Sequence, residues 1–375
     1  MKTIRDIPTL RNRTVLLRLD LNVPIVGGAV RDDFRIRKIL PTLSLLRERG
    51  AKVLVVSHIE GAGGTLRPVF EYLTEVLHGE CVFLPEYFSE RTKQLIAASG
   101  EGSLFLFENV RRERGETEND EGFARRLASL AELYVNDAFA VSHRAHASVV
   151  GVPRFLPSFA GPLFEEEVRN LSRAFHPPRP FLFALGGAKF ETKLPLIEKF
   201  LGLADTVFIG GALANNFFAA RGLEVGRSTV GEAGSALRDI IRHEKIMLPV
   251  DVVVESPTGA RALRSEDVAP DEAIMDAGPQ TVSLLGDLLS ESAFVLWNGP
   301  LGNYERGFTS GTEELAARIA ESRTESIIGG GDTLASIAAQ GLLEKFSFVS
   351  TGGGAMLQFL ADETLPGLEA LKHSR

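Results

Sequence analysis

Short apolar runs rich in β-branched and aromatic residues alternate along the chain with segments whose apolar positions recur every three or four residues. Residues 14–19, 52–57, 81–84, 103–107 and 133–135 read as strands. A second series follows at 180–185, 205–209, 246–250, 293–297, 326–328 and 346–349. Between them, 36–49, 69–78, 123–130, 194–201 and 312–321 carry the helical period. Continuous apolar strands separated by helices predict an α/β protein whose parallel sheets are covered on both faces.

The clearest boundary in the pattern lies near residues 157–180. Phe164, Val168, Leu171 and Phe175 are spaced by four, three and four, which makes one apolar helical face. The run His176-Pro177-Pro178-Arg179-Pro180 stops that helix, since proline removes a backbone donor and excludes helix from the residue before it. A length of 375 residues also exceeds what one core usually organises. The prediction is two α/β lobes: residues 1–160, a connecting helix and hinge at 161–178, a second lobe at 179–351, and a C-terminal segment at 352–375. Ligands of such sheets bind beyond the carboxyl ends of the strands.

Composition narrows the function classes. With 41 Lys+Arg against 49 Asp+Glu the formal charge is -8, which disfavours generic binding to nucleic acid or anionic membrane. The charge is uneven: residues 1–160 hold 22 basic and 20 acidic residues, the remainder 19 and 29. Cys81 is the only cysteine, so an intramolecular disulfide is impossible and a cysteine zinc site is not expected. Cys81 itself reads as core. No apolar stretch reaches the ~18 residues of a membrane span, and the start, Met1-Lys2-Thr3-Ile4-Arg5-Asp6, breaks into charge before a signal core forms. A reducing cytoplasm is the expected location.

Chemistry-bearing residues recur just past the predicted strands of the first half. Arg18-Leu19-Asp20-Leu21-Asn22 ends the first strand, with Arg35 following; Ser57-His58 ends the second; Glu108-Asn109-Val110-Arg111 and Asn136-Asp137 end the fourth and fifth. His143-Arg144-Ala145-His146 comes next. Any one of these arginines alone reads as a surface cation. The repeated strand-end position points instead to a small phosphate or carboxylate, with Asp20 and Asn22 available to hydroxyl groups. The two histidines lack a third ligand, so a metal is not expected there.

The second half supplies glycine in place of arginine. Leu185-Gly186-Gly187-Ala188-Lys189 ends a strand and opens a helix carrying Lys193, and Ile209-Gly210-Gly211-Ala212 repeats the device. Trp297-Asn298-Gly299-Pro300, Gly329-Gly330-Gly331-Asp332-Thr333 and Gly352-Gly353-Gly354 follow. Glycine there lets backbone approach a ligand, and the next helix start offers free amides to phosphate. Lys189 and Lys193, four apart, are expected on one helical face, and Asp332 can hold magnesium shared with phosphates. Neither a Walker A string nor a dinucleotide fingerprint occurs. A polyphosphate site in one half and a small-anion site in the other suggest phosphoryl transfer.

These strings, in order from about residue 14 to 360, resemble the phosphoglycerate kinase family. The resemblance implies two Rossmann-like lobes, the first binding 3-phosphoglycerate and the second MgADP or MgATP, with the C-terminal tail packing back on the first. It implies reversible transfer between 1,3-bisphosphoglycerate and ADP by substrate positioning, charge stabilisation and lobe closure, in an enzyme expected to be a monomer. By motif, Asp20, Leu21, Asn22, Arg35, His58, Arg111 and Arg144 would bind the glycerate. Lys189 and Lys193 would meet the nucleotide phosphates, and Gly330, Gly331, Asp332 and Thr333 would form the phosphate and Mg2+ loop. Glu305 would hold the ribose, Gly186, Gly187, Gly210 and Gly211 the adenine side, and Asn298 belongs to the same nucleotide set. Arg35, Lys189, Lys193 and the helix amides near Gly353 are the expected transition-state contacts.

Three departures from the family pattern stand out. Ser57-His58 is followed by Ile59-Glu60-Gly61-Ala62-Gly63-Gly64, where the family usually has Leu-Gly-Arg-Pro, so one phosphate-binding arginine is missing. Arg112 or Arg114 is the expected replacement. Thr192 and Ile274 replace a frequent acid and a usual glycine. Two other readings are a non-catalytic nucleotide- or anion-binding module on the same fold, and a kinase for a related phosphorylated acid. Turnover on 3-phosphoglycerate and its analogues separates the three.

Overall fold

The structure is a computed structural model describing residues 1–60, 64–231 and 236–374; Gly61, Ala62 and Gly63 of the departing loop lie outside these. The chain divides into two compact units. Unit 1 is Met1–Arg169 together with the chain from Asp362 onward, and unit 2 is Asn170–Ala361. The division falls inside the helix Pro162–Ser172, between Arg169 and Asn170.

Unit 1 is built on six parallel strands in the order Val82–Leu84, Leu104–Phe107, Lys52–Val56, Thr14–Arg18, Leu133–Asn136 and Ser158–Ala160. The central strands are apolar on both faces because helices cover both: Val15, Leu17, Val53, Val55, Leu106 and Val135 pack with Ile36, Ile39, Leu43 and Leu46 in one core. Each such side chain removed from water contributes about 1.5–3 kcal/mol. Cys81 is buried, and burial pushes its thiol up to about 12, as a core position implies.

Register decides where the polar residues land. Arg18 pairs with both Val56 and Asn136, so the residues after all three strands emerge at one level. The chain starts in the middle strand, lays the next strand on one side and a later one on the other. That reversal opens a crevice at the carboxyl ends.

Unit 2 repeats the device with Ile246–Met247, Thr206–Ile209, Phe181–Leu185, Phe294–Asn298, Glu325–Gly329 and Phe348–Val349, again all parallel. Its core is aromatic: Phe183 stacks on Phe200 with centroids 4.3 Å apart, and Phe181 meets Phe294 at 5.1 Å. Two expectations need correction. The strand at 246–250 stops at Met247, since Pro249 cannot donate to a ladder. Beyond it lies a three-stranded antiparallel sheet that the apolar pattern did not reveal: Asp251–Ser256, Gly259–Arg264 and Ala273–Ala277. Its middle-sequence strand is almost wholly exposed, so it carries no apolar signature.

Residues from Asp362 onward close unit 1. Helix Pro366–Lys372 buries Leu368 and Leu371, and Gly367 N donates to Ser142 O at 2.8 Å. A Cβ on Gly367 would lie 2.7 Å from the Ser142 side chain. Ala370 packs on the cluster of Ala138, Val141, Val149 and Val150.

Candidate functional site

At the crevice of unit 1, the segment after Thr14–Arg18 is pinned by its neighbour strand. Ser57 Oγ accepts from Leu21 N at 2.9 Å and donates to Leu19 O at 2.8 Å. Leu21 therefore contributes backbone at the site while its side chain is fully in the core. Asp20 faces the crevice, accepting from Arg35 Nη1 at 3.0 Å and Asn22 N at 3.1 Å. Arg35 Nη1 also donates to Asn22 O at 2.9 Å. Asn22 Oδ1 accepts from Glu60 N at 2.9 Å.

His58 sits among cations. Burial first, then the charges of Arg18, Arg111, Arg144 and Arg35, hold its pKa far below the usual imidazole value, so it is neutral. Arg18 Nη2 is 3.4 Å from His58 Nδ1, and a guanidinium can only donate. Nδ1 is thus the acceptor and Nε2 carries the proton, leaving one N–H for an anion. Arg18, a strand residue with 1% exposure, is the cation underneath: its Nε donates to Ser148 Oγ at 2.9 Å and its Nη1 to Leu19 O. Glu116, equally buried, accepts from Ser148 N at 2.8 Å and Ser148 Oγ at 2.6 Å.

Arg111 follows the Leu104–Phe107 strand on a short 3-10 turn capped by Asn109, whose Oδ1 accepts from Arg111 N at 3.1 Å. Its Nη1 is paired with Glu60 Oε1, whereas Nε and Nη2 are buried without a partner among the described residues. Arg144 approaches the same Glu60 oxygen at 3.9 Å. His146 lies 3.8 Å from Glu116, its pKa lowered to about 4 by burial and then by Arg111 and Arg144. Asp20, Asn22, Arg35, His58, Arg111 and Arg144 are therefore brought together. The expected replacements are not with them: Arg112 pairs with Glu108 at 3.0 Å and Arg114 with Glu118 at 2.8 Å, each within its own turn and more than half exposed. Spacing of four along a helical turn offered each a carboxylate closer than the crevice.

In unit 2, a cleft of about 320 Å³ opens where the Phe181–Leu185 strand is flanked by Thr206–Ile209 and Phe294–Asn298. Gly187, Gly211, Glu305 and Asp332 line it. Gly186 and Gly210 end their strands just behind, and the approach is close: a Cβ on Gly186 would lie 2.3 Å from Pro300 O. Lys193 is buried, and its Nζ donates to Gly186 O. Burial, with Lys189 adding, lowers its pKa to about 8 against the opposing pull of Asp332. Lys189 caps the helix Phe190–Leu203 with non-helical backbone and is exposed. Lys189 thus stands one residue before the helix that carries Lys193, and the charges of the two are felt by one another.

Gly330, at φ +106°, turns the chain after Glu325–Gly329 into the helix Gly331–Ile337, a conformation that disfavours any side chain. Thr333 Oγ1 accepts from Gly299 N at 2.8 Å, and Asn298 is buried beside Gly330, so these loops brace one another. Gly331 and Asp332 are exposed at the helix start. Gly353 precedes the helix Gly354–Asp362 with open space around it. Glu305 is exposed on the turn Tyr304–Arg306.

Ile274, singled out in the sequence as a replaced glycine, lines the same cleft together with Met275, Asp276 and Ala277; sequence reasoning missed Tyr304 and Arg306 on that wall. Arg306 is held by both oxygens of Glu255 at 2.7 and 2.8 Å, and Tyr304 Oη lies 3.4 Å from Asp332 Oδ1. Asp276, its pKa raised to about 6 by burial, accepts from Gly311 N and Ala277 N. The signal for these residues was the hairpin at 251–264, whose partner strand supplies residues 273–277 to the wall. Among the described residues no group of three acidic, His or Cys side chains gathers a metal ion. A nucleotide-borne magnesium fits nonetheless: it keeps waters and phosphates as ligands, and the exposed Asp332 carboxylate can add one more.

The phosphoglycerate kinase family model matches residues 4–363. The chain is 40% identical over 395 residues to the phosphoglycerate kinase of Thermosipho africanus, covering 100% of this chain and 98% of that one. The same enzyme of Thermomicrobium roseum is 40% identical over 389 residues, covering 99% of each. The crystal structure of phosphoglycerate kinase from Pyrococcus horikoshii OT3 matches with a TM-score of 0.87 at 32% identity, over 99% of this chain and 98% of that one.

Proposed function

The chain belongs to the phosphoglycerate kinase family, and on that premise we propose how its residues divide the work of the family's reaction. The reaction is the reversible transfer of a phosphoryl group from the acyl phosphate of 1,3-bisphosphoglycerate to ADP, giving 3-phosphoglycerate and ATP. Run backwards, a carboxylate oxygen of 3-phosphoglycerate attacks the γ-phosphorus of ATP, the P–O bond to ADP breaks, and ADP leaves.

Unit 1 is the proposed glycerate site. Arg35 meets the reacting carboxylate and Asp20 and Asn22 the 2-hydroxyl. His58 Nε2–H, Arg111 and Arg144 take the 3-phosphate. The observation that carries this reading is the set of cations converging on a neutral His58, with a buried Arg111 edge that has no partner among the described residues. Buried donors without acceptors are costly unless a ligand supplies the acceptor.

Unit 2 is the proposed nucleotide site. Gly186, Gly187, Gly210 and Gly211 lie along the base, Glu305 meets the ribose, and Asn298, Gly330, Gly331 and Thr333 form the phosphate floor. Asp332 would hold Mg2+, which when bound neutralises charge on the phosphate oxygens. Lys189 and Lys193 spread positive charge over the moving phosphoryl group, and the backbone amides after Gly353 do the same. No covalent catalysis by protein is needed, because phosphoryl transfer is served by positioning and preorganised charge. Cytoplasmic placement is proposed on the single buried cysteine.

Steady-state turnover of 3-phosphoglycerate with MgATP, trapping the acyl phosphate through a coupled dehydrogenase, tests the assignment. Turnover is expected. Its absence, with MgATP binding retained, would leave a binding module or a kinase of another phosphorylated acid.

A further inference from the structure

Glu60 is the anomaly of the unit 1 crevice. Among the arginines, histidines and hydroxyl-binding groups that converge there, it is an exposed carboxylate held at the centre of the positive charge. Its Oε1 pairs with Arg111 Nη1 and lies 3.9 Å from Arg144 Nη1. Its backbone is fixed as well, since Glu60 N donates to Asn22 Oδ1 at 2.9 Å. The hydrogen bond from Arg111, with the further charges of Arg144 and Arg35, holds its carboxyl below the usual range, so the charge is present at neutral pH.

Arg111 shows what that carboxylate occupies. The side chain keeps 15% of its surface exposed, and among the described residues its buried Nε and Nη2 have no partner. Nη1 is the nitrogen that Glu60 holds. A phosphate brought to this guanidinium meets the Glu60 carboxylate already on it, and the two like charges compete for the same cation. Glu60 is 58% exposed and can swing into water when displaced.

We propose that Glu60 is an internal stand-in for the substrate phosphate, a carboxylate that occupies the Arg111–Arg144 pair in the ligand-free enzyme and sets substrate affinity by competing with the ligand. The inference rests on the glycerate reading of this crevice. It gives the departure after Ser57-His58 a physical sense. Where a phosphate-binding arginine is missing and Arg112 and Arg114 are engaged elsewhere, Glu60 removes the repulsion between two arginines that would otherwise face each other unscreened. The same charge must be expelled, or tolerated beside a phosphate dianion, whenever substrate binds. Apparent affinity falls by the fraction of enzyme in which the arginines are already taken.

The test is Glu60→Gln, which keeps the shape and the backbone hydrogen bond and removes the charge. It is read by the KM for 3-phosphoglycerate and by calorimetric titration with 3-phosphoglycerate and with inorganic phosphate. The expected result is a KM about three- to tenfold lower, the range set by a partly exposed ion pair plus relief of like-charge repulsion. Both titrations should tighten by a similar factor, while the KM for MgATP stays where it was. An unchanged KM and unchanged titrations would overturn the inference. A KM raised several-fold would overturn it too, showing that Glu60 orients Arg111 for the substrate. Glu60→Ala, which also removes the side-chain amide, must move in the same direction as Glu60→Gln. If neither the parent nor the variant turns over 3-phosphoglycerate, the glycerate reading fails by itself. The phosphate titrations then still decide whether Glu60 guards the anion site.

Discussion

The crevice of unit 1 is lined by charged side chains, and the cleft of unit 2 is built around glycine loops. The unit 1 crevice carries Arg18, Arg35, Arg111 and Arg144 around His58, so its charge exists before any ligand arrives and must be balanced internally. Asp20 pairs with Arg35 and Glu60 with Arg111, while Glu116 reaches Arg18 through the shared Ser148 hydroxyl. The unit 2 cleft is walled by glycine loops, with Arg227, Asp276, Glu305, Arg306 and Asp332 set among them; the buried cation Lys193 rests on a carbonyl with its pKa lowered to about 8. A side-chain site is adjustable one residue at a time, and a mutation there exchanges one charge. A site walled by backbone is tuned by approach distance at its glycines, and the few side chains that reach into it, Lys193 first, each carry a larger share.

The contrast predicts a ranking. The largest effect belongs to the buried lysine: Lys193→Ala should lower kcat by about 10²–10³-fold, the cost of deleting one preorganised charge at a transition state, in the coupled assay with 3-phosphoglycerate and MgATP. Its pKa adds a signature with a definite sign. A lysine titrating near 8 in the free enzyme is protonated below that pH and neutral above it. The value of kcat/KM for the nucleotide should then fall as pH rises through about 8. Lys193→Arg, charged throughout, should flatten that limb even if it is slower. A pH profile that falls identically in both enzymes would assign the titration to another group.

Next in size is Arg111→Ala, expected to lower kcat/KM for 3-phosphoglycerate about 10- to 100-fold, the range for losing a charge-assisted hydrogen-bond pair. The loss should sit in KM, because the phosphate it holds does not react. An equal loss in kcat would mean that Arg111 also senses the reacting end, and the division of labour between the two units would be less clean than drawn here.

The smallest effects should come from Arg112→Ala and Arg114→Ala. Each is an exposed member of a local ion pair, and KM should stay within about twofold. A several-fold rise in either would restore the compensation that the sequence alone suggested.

The same contrast explains what was readable from sequence. The strand-end arginines announced themselves, because a cation repeated at one structural level needs only the strand pattern to be noticed. The parallel sheets were equally readable from strands buried on both faces, as at residues 14–18 and 181–185. The antiparallel sheet at residues 251–277 was not: its Gly259–Arg264 strand is exposed along nearly its whole length, and its apolar residues do not alternate with a core. With it went Tyr304 and Arg306 on the wall of the cleft. Lys189 and Lys193 show a subtler limit. Their spacing of four implied a shared helix face, yet the helix begins one residue after Lys189, and a cap residue points by its own dihedrals. Glu60 was visible only as a departure; that it lies on Arg111 depends on how Asn22 catches its backbone, a contact between residues 38 apart.

The return of the chain to unit 1 has a bearing on the order of biosynthesis. Helix Pro366–Lys372 leaves the ribosome after all of unit 2, yet it packs on Val141, Val149 and Val150 and donates Gly367 N to Ser142 O. Those residues flank His143, Arg144 and His146. A nascent chain stalled within unit 2 has made every residue of the strand-end arginine cluster but lacks the buttress under the Arg144 loop. Translation thus finishes unit 2 before unit 1, which it began first, and a prematurely terminated product would carry the Arg144 loop without its support.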